Sequence, residues 1–437
     1  MRGMTDAYDL LLKLAYLALA VGAIAIYLRR RKRAEQAHAD TLAQASAAGL
    51  LEPPSLHPVI DAARCVGSGA CVTACPEEAL GIVGGKALLA NPSICIGHGA
   101  CFAACPVGAI TLVFGTERRG IDIPYVKPDF ESNVPGLYIA GELGGMGLIR
   151  KAAEQGSQAV ASVARRRSGR SALDVVIVGA GPAGIAAGLA AIEHGLRYRL
   201  IEQEADLGGS VYHYPRNKVA MTAPVKLPVV GRMRFTEVSK EKLLAFWQDV
   251  VARAGLEVGF GERMEGLARV ADHFVLRTTR GSYETDAVVL AIGRRGSPRK
   301  LEVPGEESAK VVYRLVDAEQ YAGRNVLVVG GGDSAVEAAL ACAEAGATVH
   351  LSYRGEAFNR LKPANRARLE QATARRRVVV ALGSNVRAIH ADRVELEGAQ
   401  GARTLPNDAV VVCAGGVLPT ELLRSAGIAF ETKHGQA

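Results

Sequence analysis

Six of the eight cysteines in this 437-residue chain lie between Cys65 and Cys105. They come as two runs, CVGSGACVTACP and CIGHGACFAACP, so that Cys65, Cys71, Cys75 and Pro76 recur 30 residues later as Cys95, Cys101, Cys105 and Pro106. The match extends to Gly67/Gly97, Gly69/Gly99, Ala70/Ala100 and Ala74/Ala104. A duplicated unit this small has too little apolar content to fold by burial alone, so inorganic clusters held by the thiolates would have to serve as its core. A disulfide framework belongs to small secreted domains, and the spacing is longer than the usual zinc pairs. Cys342 and Cys413 stand alone in apolar surroundings, and Cys342, within an Ala-rich helix, reads as core.

The two runs resemble the bacterial dicluster ferredoxin pattern C-x2-C-x2-C-x3-C-P, in which the last Cys of each run serves the other cluster. By that crossed pattern one cluster takes Cys65, Cys71 and Cys105, and the other takes Cys95, Cys101 and Cys75. Ser68 and His98 stand where the second Cys of each run belongs. Three outcomes stay open for that corner: loss of the iron to give a 3Fe-4S cluster, a 4Fe-4S cluster with water or hydroxide there, or ligation by Ser68 and His98. Imidazole in place of thiolate raises the potential in other cluster types. An empty, degenerate site would leave reactive thiols in a core-poor fold.

Further along, Gly179, Gly181 and Gly184 in GAGPAG follow an apolar strand-like run and open a helix, an arrangement that lets backbone amides and the helix N-terminus approach a pyrophosphate. Glu202, about 20 residues on at the end of the next strand, suits a ribose hydroxyl. A second fingerprint, GGGDSA, offers Gly330, Gly332 and Ala335. Its second strand leads into SYRGEAFNR rather than ending in an acid, so Arg354 and Arg360 are candidates to receive a 2′-phosphate, which favours NADP(H) over NAD(H).

The segments GAGPAG…IEQ, DAVVLAIGRRGSPRKLEVPGEE, GGGDSAVEAAL and DAVVVCAGGVLPTELL occur in the order found in thioredoxin reductase-like flavoproteins, and the chain resembles that superfamily over roughly residues 120 to 430. The resemblance implies FAD at the first site and NAD(P)H at the second. Two departures matter. No C-x2-C lies in this half, so the dithiol those reductases use to pass electrons onward is missing. ESNVPGLYIAGELGGMGLIRKAAEQGSQAV, at 131–160, resembles the segment that closes such enzymes at the C-terminus, yet here it precedes GAGPAG, and a circular permutation is the expectation. The family pattern then implies flavin contacts from Gly141 and from Glu142, which replaces an Asp that binds the ribityl chain. The helix beginning near Gly147 should aim its N-terminus at the flavin ring and stabilise reduced-flavin anion.

These residues need α/β elements to position them. The expected fold has two Rossmann-like dinucleotide-binding domains (FAD and NAD(P)), a small α+β ferredoxin-like dicluster domain and one N-terminal transmembrane helix. The boundaries are a transmembrane helix at 8–28, a basic stop and polar helical spacer at 29–55, the iron–sulfur domain at 56–115 and a permuted FAD-binding segment at 120–167. The FAD domain follows at 172–300, the NAD(P) domain with the return to the FAD domain at 301–415, and a C-terminal segment at 416–437. The apolar LLLKLAYLALAVGAIAIYL is followed, not preceded, by RRRKR, which suits an anchor rather than a cleaved signal peptide and puts the remainder on the cytoplasmic side of the inner membrane. The net charge of +8 sits in short runs at Arg29 to Arg33, Arg165 to Arg167 and Arg375 to Arg377, with no aromatic-interleaved basic surface for nucleic acid.

The expected activity is a membrane-anchored flavin-dependent oxidoreductase. Hydride passes between NAD(P)H and FAD, and single electrons pass between FAD, two iron–sulfur clusters and a carrier such as a quinone, a cytochrome or a ferredoxin-type protein. The scheme requires no side-chain acid, base or nucleophile. Two other readings are a redox-sensing scaffold with degenerate clusters and a disulfide reductase working without its own C-x2-C. Related folds lead one to expect a homodimer, by analogy.

Overall fold

The computed structural model describes residues 2–435 apart from 48–50, 54–55, 96, 98, 118–119, 146, 215, 217, 295, 359–360, 362, 399–400 and 418, with backbone alone for 2–12, 15, 221, 297 and 363. Two units divide the chain, one made of residues 1–119 and 434–437, the other of residues 120–433.

In the first unit a continuous helix, α1 (Arg2–Ala47), precedes the cysteine repeat. Among the described residues no helix is long and apolar enough to cross a membrane, so the expected spanning element is not found in the described fold. The first part of the apolar run, at residues 8–12 and 15, lies outside the described side chains. What is described is a belt of apolar side chains, among them Tyr16, Leu19 and Ile24, that remain more than half exposed. The polar half of α1, where a polar helical spacer is expected, packs on β2 (Leu80–Val83), which forms a hairpin with β3 (Lys86–Leu89). There the Ile82 N–H donates to His38 Nδ1 at 3.2 Å and the Gly85 N–H donates to Glu35 Oε1 at 3.1 Å, so side chains of the helix satisfy backbone donors of an otherwise open strand edge.

The repeat in sequence is a repeat in backbone. Two five-residue helices, α2 (Ala70–Ala74) and α3 (Ala100–Ala104), each start after a left-handed glycine, Gly69 at φ 76° and Gly99 at φ 75°, and each stop at an extended cysteine, Cys75 or Cys105. Strand β1 (His57–Ile60) pairs antiparallel with β4 (Ile110–Val113), as β3 does with β2. The ladders keep the repeat, since Pro58 faces Leu112 where Ala87 faces Ile82.

The second unit begins with β5 (Ile121–Pro124), followed by β6 (Leu137–Ile139) and α4 (Ile149–Arg165). Next come β7 (Leu173–Val178), α5 (Pro182–Glu193) and β8 (Tyr198–Ile201), then the meander β9 (Met264–Val270), β10 (His273–Thr278) and β11 (Gly281–Leu290). Their sheet runs β9-β10-β11-β7-β8, with β6 also paired in parallel to the end of β11, where Val288 aligns with both Leu137 and Val176. β-branched residues fill β7 because both faces of this parallel region are covered, and Val175, Val176 and Ile177 are wholly buried. On one face α4 lies against α5 at a separation only small residues permit, since a β-carbon on Gly156 would sit 1.9 Å from the Ala183 carbonyl oxygen.

The nucleotide half is a five-stranded parallel sheet in the order β12-β16-β13-β14-β15. Its members are β12 (Val311–Val312), β13 (Asn325–Val329), β14 (Thr348–Tyr353), β15 (Val378–Leu382) and β16 (Ala409–Val412), with α6 (Asp333–Glu344) between β13 and β14. The chain then returns to the FAD half, where β17 (Phe430–Lys433) pairs antiparallel with β5. The two Rossmann-type halves therefore share one unit with the 131–165 segment.

Candidate redox-cofactor sites

The six cysteines of the repeat gather around two separate cavities. One is lined by Cys65, Cys71 and Cys105 together with Ser68 and Val107. The other is lined by Cys95, Cys101 and Cys75 together with Pro58 and Glu77. These are the crossed sets, each taking its third thiol from the opposite run. All six thiols are free, and among the described residues no group of three or more His, Cys, Asp or Glu side chains converges to hold a single metal ion. Burial pushes the Cys101 thiol up to about 11 and raises Cys71 and Cys95, whereas N–H groups, led by that of Ala109, lower Cys105. Three soft thiols on each cavity, in the crossed sets, fit an iron–sulfur cluster. Ser68 lines the first cavity but is exposed and accepts the Ala70 N–H at 3.4 Å. His98 lies outside the described residues.

At the first glycine turn, Gly179 has φ +105°, and a β-carbon on Gly184 would stand 1.6 Å from the Gly179 carbonyl oxygen. The turn thus presses against the start of α5, whose first residue, Pro182, has no N–H to leave unpaired. Among the described residues, Gly181 has only the Gly209 Cα near the side it presents, at 3.7 Å. Glu202 ends the βαβ unit, buried, with one carboxylate oxygen accepting the Ala180 N–H at 2.6 Å and the other accepting the Glu204 N–H at 3.0 Å. Burial raises its pKa against those hydrogen bonds. A side-chain-free cradle closed by a carboxylate at the strand end fits a dinucleotide.

The 131–165 segment comes to the same sheet. The Gly141 N–H, after β6, donates to Gln155 Oε1 at 2.8 Å, and Gly147 lies beside the Glu142 side chain, where an added β-carbon would be 3.6 Å from Glu142 Cγ. Burial lowers the pKa of Arg294, after β11, against the opposing charges of Glu142 and Asp122, and its guanidinium donates to the Asp122 carbonyl at 3.2 Å. Sequence reasoning singled out neither Arg294 nor Gln155.

At the second turn Gly330 has φ +149° and packs on the Cys413 carbonyl, while Gly332, capping α6, has nothing among the described residues within 4 Å of its would-be β-carbon. Ala335 is fully buried. Tyr353 stacks on Phe358 and fills the side of Gly331, where a β-carbon would be 2.2 Å from the ring. Arg354 follows β14 and is exposed; Arg360 lies outside the described residues. The first turns of α6 are tied to the FAD half by Lys218, whose Nζ reaches Glu337 at 3.2 Å, and Asn365 bridges Glu337 and Asp333.

Two glycine turns, each opening a helix behind a parallel strand, define a flavin and nicotinamide oxidoreductase with two dinucleotide sites, joined in one chain to a two-cavity thiolate module. The family model described as pyridine nucleotide-disulphide oxidoreductase matches residues 176–436, and that of a 4Fe-4S dicluster domain matches 57–106. The chain is 35% identical over 188 residues to a ferredoxin–NADP reductase from Ignicoccus hospitalis, covering 42% of this chain and 57% of that one. It is 32% identical over 270 residues to a ferredoxin–NADP reductase from Thermus thermophilus, covering 59% and 77%. Among solved structures, the bacillithiol disulfide reductase Bdr of Staphylococcus aureus superposes with TM-score 0.52 at 27% identity, covering 58% of this chain and 80% of that one. The chain belongs to the pyridine nucleotide-disulphide oxidoreductase family. It is an FAD-dependent NAD(P)H oxidoreductase with an N-terminal 4Fe-4S dicluster domain.

Proposed function

We propose that this enzyme exchanges electrons between NADPH and a one-electron carrier of ferredoxin type through its own dicluster module, and that α1 anchors it on the cytoplasmic face of the inner membrane. The observation that carries the electron-transfer reading is the presence, in one chain, of two dinucleotide cradles and two cavities with three thiols each. When bound, FAD supplies the conversion between hydride and single-electron chemistry. Gly179, Gly181 and Gly184 would hold its pyrophosphate and Glu202 a ribose hydroxyl, while Gly141, Glu142 and Gly147 would meet the flavin end. Gly330 and Gly332 would bind the nicotinamide nucleotide, and Arg354 would meet its 2′-phosphate. The relatives named ferredoxin–NADP reductases support the choice of NADPH and of carrier.

Disulfide reduction lacks a dithiol here. Cys342 is fully buried, and its thiol is pushed up by burial to about 11, so it is no thiolate nucleophile. The parallel pairing of β6 with β11 and the packing of α4 on α5 support a permuted FAD domain, since a segment ahead of the glycine turn completes the sheet behind it. The exposed apolar belt of α1 and the basic run after it support the anchor.

The test is anaerobic stopped-flow mixing of purified protein with NADPH and then NADH, with flavin bleaching followed alongside cluster EPR. Flavin bleaching in step with cluster reduction, faster with NADPH, is the expected result. Clusters that never respond while the flavin does would leave the dicluster module outside the electron path.

A further inference from the structure

The two thiolate cavities are built by one repeat but are not electrostatically alike. The Ala87 N–H donates to Cys65 Sγ at 3.4 Å, and the Ala109 N–H to Cys105 Sγ at 3.2 Å, so two members of the first set receive backbone donors. The ladder position of Ala87 is taken at the second cavity by Pro58, which lines that cavity and has no N–H to give. The amide contacts of Val72 to Cys71 and of Phe102 to Cys101 occur in both halves and cancel, and the Gly97 N–H on Cys95 in the second set is outnumbered by those of Ala87 on Cys65 and of Ala109, Val107 and Gly108 on Cys105 in the first.

Charge follows the same division. Lys86 donates its ammonium to the Cys65 carbonyl at 2.6 Å, and Arg64 donates to the carbonyl of Val107, a lining residue of the first cavity, at 3.0 Å. The residue that repeats Arg64 is Ile94, and the ladder mate of Lys86 is His57. After the Cys-Pro pair, the residue lining the first cavity is Val107, whereas the one lining the second is Glu77, a carboxylate.

Adding an electron makes a cluster more negative. Donors to its sulfurs and nearby cations stabilise that state, whereas a nearby carboxylate opposes it. We propose that, with three thiolates and no fourth side-chain ligand on either cluster, the cluster held by Cys65, Cys71 and Cys105, beside Lys86, Arg64 and the Ala87 amide, has the more positive reduction potential. Its partner, held by Cys95, Cys101 and Cys75 beside Glu77 and Pro58, has the more negative one. The repeat thereby makes a directional pair out of two copies, with the first cavity as the electron-collecting end.

The inference rests on both cavities holding clusters, which iron and sulfide content of the anaerobically purified full-length protein tests separately. Absence of iron overturns both. With iron present, an EPR-monitored redox titration should resolve two one-electron transitions. Lys86→Gln should lower the more positive transition and leave the other in place. Glu77→Gln, and independently Pro58→Ala, should raise the more negative one alone. A single coincident transition, no shift in any variant, or a Lys86→Gln effect on the more negative transition would overturn the assignment.

Discussion

The β-hydrogens of an alanine at position 184 would have nowhere to go: its β-carbon would lie 1.6 Å from the carbonyl oxygen of Gly179, five residues back. The two glycines are the two sides of one turn, the one proposed to hold the flavin nucleotide's pyrophosphate. Gly184→Ala therefore has to push the turn off α5. The expected outcome is protein that purifies largely without flavin, read from the ratio of visible flavin absorbance to protein, while iron content stays unchanged.

The crossed lining of the cavities makes a prediction about pairs of variants. Cys75→Ser should behave like Cys95→Ser and Cys101→Ser, removing one cluster signal, although Cys75 belongs to the other run. Cys105→Ser should remove the other signal, as Cys65→Ser does. EPR of the reduced variants checks it, and loss grouped by run instead of by cavity would contradict the crossed sets.

Arg354 is exposed at the end of β14, where the second turn's acidic counterpart is lacking. Arg354→Ala should raise the KM for NADPH by roughly 10- to 100-fold, the range of one lost charge-assisted hydrogen bond. The KM for NADH should barely move. Steady-state kinetics with both nucleotides and an artificial acceptor decide it, and an equal effect on both would make Arg354 a plain surface charge.

Asp174, at the start of β7, is buried and held by Arg197, whose guanidinium donates at 2.7 Å, and by Arg167 at 2.9 Å. The Arg197 hydrogen bond, against the cost of burial, holds its carboxyl down to about 2 instead of 3.8. A depressed carboxyl stabilises the fold above its unfolded pKa, and that contribution is lost as pH falls from about 4 to about 2. Asp174→Asn should cost about 2 kcal/mol near neutral pH and flatten the acid limb of the stability curve. Denaturant melts at pH 7 and pH 3 supply the comparison.

What the sequence made legible was whatever local spacing encodes. The cysteine periods and the Cys-Pro pairs specify two like backbones, and GAGPAG with Glu202 specifies a strand, a turn and a second strand, because those constraints act within a few residues. The fate of α1's polar half was not legible, since it depends on where the open edge of β2 lies, 40-odd residues on in the chain. Gln155 was equally silent, for its partner, the Gly141 N–H, is set by the angle at which α4 leaves β6. The difference between the cavities was present in the repeat as mismatches, Glu77 against Val107 and Arg64 against Ile94, but the Pro58 and Ala87 pair shows only in the strand ladders.

The bonds from Glu35 and His38 to the hairpin turn α1 into a handle. At 1.5 Å per residue, Glu35 sits only about 10 Å along the helix from Leu28, where the apolar run ends. Anything that grips the apolar end of that handle fixes the height and tilt of the thiolate cavities as well. A tethered domain on a slack leash would sample every orientation, whereas this one presents the same side of its cluster module to whatever comes along the gripped surface. Partner selection would then be restricted by geometry before any side chain makes contact.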